Sequence, residues 1–198
     1  MIFKLKSKIL IITFLMGLWG FVADAQVPYK KVIKRNNMGV IETVYVYTEH
    51  FFISYSPVIV GEKYVKDLAN YLETSWKTYI DQWKFKQPSF TQNARIQVFL
   101  AKELKVGTME AAGVVYGSST GKSYMKIKVG LPDPILQDTS AHELFHIIQN
   151  GYDVWEAPWL KEATATAIQD EIFPLGRSYI NFSRVWYSWW SAPQPMLI

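Results

Sequence analysis

The chain has 198 residues, 49% of them hydrophobic and 19% charged, with a mean hydropathy near zero, which suits one globular domain with a substantial core. It contains no cysteine, which excludes disulfides, thiolate metal sites, a cysteine nucleophile and a lipid-modified N-terminal cysteine. Its formal charge is +4, but part of that belongs to the N-terminus alone.

That terminus carries Lys4, Lys6 and Lys8, an apolar run over 9–22, then Ala23-Asp24-Ala25 before Gln26. Residues 1–25 read as a cleavable export signal, with small residues at Ala23 and Ala25 marking the cut. The apolar run falls short of the roughly 18 residues a membrane span needs. The expectation is therefore a single exported domain over 26–198, periplasmic, secreted or at the cell surface, with no membrane attachment after cleavage. It keeps 18 basic and 16 acidic side chains, a balance that gives no basis for nucleic-acid binding. No feature fixes an oligomeric state.

The stretch "VIETVYVYTEHFFISYS", starting at Val40, is rich in β-branched and aromatic residues and predicts one or two strands. Over 64–83, Val65, Leu68, Leu72, Trp76, Tyr79, Ile80 and Trp83 recur at helical spacing, and Pro88 closes the region. "RIQVFLA", from Arg95, predicts a strand with Ile96, Val98 and Leu100 inward. "GVVYG" and "SYMKIKV" predict two more, joined by the turn-forming "GSSTG". In the second, Met125, Ile127 and Val129 share one face, and Tyr124, Lys126 and Lys128 the other, as in a sheet with a wet face or an exposed edge.

Leu131-Pro132-Asp133-Pro134 breaks this pattern. Asp138 or Thr139 is then the expected cap of a helix ending near Asn150-Gly151, and a further helix is expected from Pro158 to just before Pro174. Mixed strands with one long helix, followed by two helices, define an α+β protein.

The first of those two helices contains His142-Glu143-x-x-His146. Residues i and i+4 share a helix face, so both imidazoles can reach one metal ion, and Glu143 sits where a general base can reach a water beside it. With only three histidines and ten glutamates, chance would produce this spacing in on the order of one in several hundred shuffled chains. A catalytic zinc needs a third protein ligand. Tyr152 stands where a third histidine of an extended motif would fall, and His50 is far upstream, so a carboxylate on the next helix is expected. Glu162, embedded among Trp159, Leu160, Ala163, Ala165 and Ala167, is favoured over Asp153, Glu156, Asp170 and Glu171.

His-Glu-x-x-His followed by "PWLKEATAT" resembles the gluzincin metallopeptidases, particularly the thermolysin-like group with Trp-Leu-x-Glu-Gly-x-Ala on the second helix. It is also similar to secreted bacterial metalloproteases carrying Glu-Gly-Thr-Ala-Thr there. The resemblance implies a zincin-like fold: a small mixed sheet with an edge strand over the cleft, a long backing helix, the HExxH helix and the glutamate helix. It implies that His142, His146 and Glu162 ligate one Zn2+ and that Glu143 is general base and acid toward a peptide or protein substrate. An edge strand like "SYMKIKV", with Tyr124, Lys126 and Lys128, would pair with extended substrate.

The chain departs from that pattern at three places. Thr166 stands where the family has an Asp bonded to the first histidine, so any support of the ligands from this position differs. Ala163 replaces a Gly. The downstream electrophile of the family has only Tyr179 and Tyr187 as counterparts here, and the ending "SAPQPMLI" raises the expectation of a truncated C-terminal subdomain. Two other readings follow: a zinc-containing surface or peptide-binding module without turnover, and a zinc hydrolase of non-peptide amides or esters. "GSSTGKS" lacks the first glycine of a phosphate loop and reads as a hairpin turn. The aromatic cluster Trp186, Tyr187, Trp189 and Trp190 has the helical spacing of core or of an interface.

Overall fold

The computed structural model describes residues 27–89, 94–117 and 122–174. The export-signal region, most of the GSSTG turn, Tyr179, Tyr187 and the C-terminal tryptophans lie outside them. The described elements run β1 (Lys30–Arg35), β2 (Ile41–Tyr47), β3 (Phe51–Tyr55), α1 (Glu62–Trp76), β4 (Ile96–Ala101), β5 (Lys105–Val106), β6 (Met109–Glu110), β7 (Gly113–Gly117), β8 (Ser123–Lys128), α2 (Asp133–Tyr152) and α3 (Pro158–Ile172). The fold is mixed α+β. Six strands form one sheet in the order β1-β2-β3-β4-β8-β7, and β5 and β6 form a separate two-stranded hairpin.

The sheet is antiparallel at both ends and parallel in the middle, where β3 pairs β4 and β4 pairs β8. A parallel pair needs a long crossover, and α1 supplies the one between β3 and β4. Phe51, Ile53, Ile96, Val98, Met125 and Ile127 alternate onto one face, where each is fully buried. Val65, Leu68, Leu72 and Trp76 of α1 and Leu136, Leu144, Ile147 and Ile148 of α2 complete the same core. Each such side chain stabilises by about 1.5–3 kcal/mol relative to exposure, so packing, rather than capping, holds these helices in place.

Three elements depart from the sequence pattern. Strand β1, "KKVIKR", is exposed along its whole length and shows no half-buried alternation; pairing with β2 places it. The helix expected over 64–83 is α1 followed by a π-helical stretch, Lys77–Gln82. The changed winding sinks Tyr79 completely, where its hydroxyl donates to the Ala141 carbonyl at 3.2 Å, and leaves Trp83 40% exposed. Helix α2 begins at Asp133, so Asp138 and Thr139 are buried inside it rather than capping it. Pro134 costs nothing in a first turn, where its missing N–H would have no partner. The same Leu-Pro-Asp-Pro segment thus ends the sheet and starts the helix.

Strand β8 is an interior strand. Its backbone pairs with β4 on one side and β7 on the other, which overturns the expectation that Tyr124, Lys126 and Lys128 form a substrate-pairing edge. Alternation reports which faces are wet, not whether a neighbouring strand is present. These three side chains are engaged on the outer face. Tyr124 stacks on Tyr116 at 5.0 Å, Lys126 Nζ lies 5.2 Å over the same Tyr116 ring, and Lys128 Nζ pairs with Glu110 Oε2 at 2.6 Å. Among the described residues, the free edge on this side of the sheet is β7.

Candidate metal centre

Helices α2 and α3 meet through a short corner that Lys161 fastens, its Nζ donating to Asn150 Oδ1 and to the Val154 carbonyl, both at 2.9 Å. This reversal lays the first turns of α3 across the histidine face of α2. His142 Nε2 lies 3.3 Å from Glu162 Oε2, and His146 Nε2 lies 3.3 Å from Glu162 Oε1. One ligand atom from each of the three residues falls within 4.8 Å of the others, so His142, His146 and Glu162 form a group able to hold a metal ion. Two ligands about 2.0 Å from one tetrahedral ion are separated by about 3.3 Å, close to the spacing of these nitrogens and oxygens.

Each ring is oriented from behind by a glutamine. His142 Nδ1 meets Gln169 Oε1 at 2.8 Å, and His146 Nδ1 meets Gln149 Oε1 at 2.7 Å. Gln149 commits its amide nitrogen to the Lys161 carbonyl (3.1 Å) and Thr164 Oγ1 (2.7 Å), so its oxygen is the atom left to face the ring. The histidine must then donate through Nδ1–H, which leaves the Nε2 lone pair for a metal.

The hydrogen bond to His142, expected to be altered at Thr166, is made instead by Gln169. Thr166 lines the cleft, but the hydrogen bond to His142 comes from one turn further along α3. Neither glutamine stood out in the sequence. The available signal was spacing: Gln149 lies three residues after His146, and Gln169 seven after Glu162, each on its ligand's helix face.

Glu143 is 6% exposed, and its Oε2 is buried with no hydrogen-bond partner. Burial pushes its carboxyl above the ordinary carboxylate range, against the pull of both imidazoles. Glu162 goes the other way: its hydrogen bonds with His142 and then His146 hold it well below that range, despite partial burial. Burial opposes a charged His142, but the bond to Glu162 and the charges of Glu143 and Glu162 raise it on balance. Two nearby carboxylates are thus driven in opposite directions, one by burial and one by its hydrogen bonds to the imidazoles.

These groups line a cleft of about 900 Å³. One wall is α3 with the α2–α3 corner; the other is β7 with Ala111 and Ala112. His50, the third histidine, stands apart in the β2–β3 turn, bonded to Glu73. Tyr179 and Tyr187 lie outside the described residues. No model of a known protein family matches this chain, and no curated protein matches it.

Proposed function

We propose that this protein is an exported zinc metallopeptidase of the gluzincin type, with a zincin-like fold. The observation that carries the reading is the convergence of two imidazole Nε2 atoms on one carboxylate, with a buried, unpartnered glutamate oxygen on the same helix. Two nitrogens and an oxygen, held by outer hydrogen bonds, form a donor set that suits zinc and leaves a position open for substrate. Among the described residues, no helix is long and apolar enough to cross a membrane.

Zinc, when bound, supplies Lewis acidity toward a carbonyl oxygen and makes water more acidic. The chain's own residues do the rest. Glu143 takes a proton from the attacking water as the new C–O bond forms at the carbonyl carbon; it then delivers that proton to the amine nitrogen as the C–N bond breaks.

The free edge of β7 supports an extended peptide as the substrate class. Lys128 N–H donates to the Ala112 carbonyl, and the antiparallel register pairs Gly113 with Ile127. Hydrogen-bonding direction alternates along a strand, so Ala112, Val114 and Tyr116 face β8, while Gly113, Val115 and Gly117 turn their N–H and C=O groups to the open side. A peptide laid there can extend the sheet while crossing the histidine face.

The test is zinc content per chain for residues 26–198, wild type against Glu162→Ala, with peptide hydrolysis measured on both. One zinc in wild type, lost with activity on substitution, is the expected result. One zinc with no turnover on broad peptide libraries would instead favour a zinc-containing peptide-binding module. Absence of bound zinc in wild type would overturn the reading.

A further inference from the structure

We infer that Gly113 positions the Glu143 carboxylate, through the space its absent side chain leaves. The inference rests on the peptidase reading for its catalytic consequence, but its structural half stands independently. Positions 113, 115 and 117 of β7 turn their side chains toward the helices, and at 113 the helix side chain lying against the strand is Glu143. A Cβ at Gly113 would sit 2.5 Å from Glu143 Cγ, 2.6 Å from Oε1 and 2.7 Å from Cδ. All three distances lie far inside van der Waals contact, so any other residue must push the strand or the glutamate aside.

The requirement is for room and not for an unusual dihedral angle. Among the described residues, the left-handed glycines are Gly39, Gly107 and Gly130, and Gly113 is not one of them. Nor does a hydrogen bond hold Oε2, which is buried without a partner among the described residues. The strand backbone at Gly113 lies against the stem of this side chain and limits where it can go. The same glycine turns its N–H and C=O to the open edge, so one residue sets both the location of the base and the start of the pairing edge. A half-buried glycine beginning an edge strand would otherwise be a poor choice, because it weakens the strand and contributes no side chain to the packing.

The experiment is a double-mutant cycle of Gly113→Ala, Glu143→Ala and the pair, in the full chain. Its first readout is the urea midpoint of unfolding, with and without zinc. Gly113→Ala is expected to lower the midpoint when Glu143 is present and to leave it nearly unchanged when residue 143 is truncated. If Gly113→Ala alone fails to fold, recovery in the pair is the same result. Equal losses in both backgrounds would overturn the inference. The second readout is kinetic: Gly113→Ala should keep its zinc and its KM within about threefold while kcat falls at least tenfold, because a displacement near 1 Å costs on the order of 10²-fold. An unchanged kcat in a folded, zinc-loaded variant would also overturn it. If wild type hydrolyses no peptide, the peptidase reading fails, and the unfolding cycle still decides whether Gly113 seats Glu143.

Discussion

Two histidine–glutamate clusters occupy this domain, and they differ in what their polar atoms face. His50 Nδ1 bonds Glu73 Oε2 at 2.7 Å, its backbone N–H bonds Glu73 Oε1 at 2.9 Å, and its ring stacks on Trp76 at 4.2 Å. Glu73 is 90% covered, and both of its oxygens are used by the β2–β3 turn. At His142 and His146 the Nδ1 atoms are likewise tied to the protein, but both Nε2 atoms point at a shared carboxylate in an open cleft. A histidine–carboxylate contact is therefore not a site in itself. It becomes one when the second nitrogen is left facing space in company with other ligands.

The strongest way to break this contrast is to remove the base while leaving the ligands. Glu143→Gln should retain zinc and lose on the order of 10²–10⁴-fold in kcat, as expected for a general acid–base group. Steady-state kinetics beside metal analysis checks it, and a zinc-loaded variant with undiminished turnover would falsify the assigned role.

A smaller effect should follow from the glutamines. Gln149→Ala and Gln169→Ala free the Nδ1 sides of the rings, and each should weaken zinc by about 10–100-fold, measured by competition with a chelating dye. Gln149→Ala should also lower stability, since it strips the Lys161 carbonyl and Thr164 of a donor. Thr166→Ala, by contrast, should change zinc affinity less than Gln169→Ala; the reverse order would show that Thr166, not Gln169, supports His142.

The smallest effect concerns the other cluster and its pH dependence. Burial opposes the charged form of Glu73, but hydrogen bonds from His50 and Thr48 outweigh it and lower the folded-state pKa. A carboxyl depressed in the folded state binds its proton more readily once unfolded. Its stabilisation is present above the unfolded carboxylate range near ~4.3 and is lost as pH falls from there through the lower folded value. Glu73→Gln should flatten that acid limb of a stability-versus-pH curve and leave zinc content untouched. A change in zinc stoichiometry would join the two clusters that the structure separates.

Gly113 sharpens the same contrast from the strand side. Glu73 is held by hydrogen bonds to both oxygens, whereas Glu143 has a free oxygen and a strand backbone pressed against its stem. Glu73 is satisfied on both oxygens; Glu143, the proposed base, is confined by shape with one oxygen unpartnered.

Local pattern carried most of the elements. Strands β2, β3, β4, β7 and β8 and helix α3 fall where alternation, helical spacing and Pro158 place them, because half-buried elements write their period into the chain. Strand β1 left no such mark because both its faces are wet, and the π-helical turn left none because its effect is a change of phase within an apolar stretch. The edge was misplaced for a related reason: "SYMKIKV" and "GVVYG" both look like strands, but β8 is made interior by its parallel pairing with β4, whose partners lie 27 positions earlier in the chain.

For the site, the sequence by itself determined the two histidines and Glu143, since one helical turn fixes their relation whatever the rest of the chain does. It also supplied Glu162, as a carboxylate carried by the next helix. Tertiary structure alone decided that Glu162 faces both rings, that Gln149 and Gln169 stand behind them, and that β7 rather than β8 rims the cleft with a glycine against the base. Those relations span the α2–α3 corner and the β7–α2 interface, where contacts are set by packing between elements and no short-range periodicity records them.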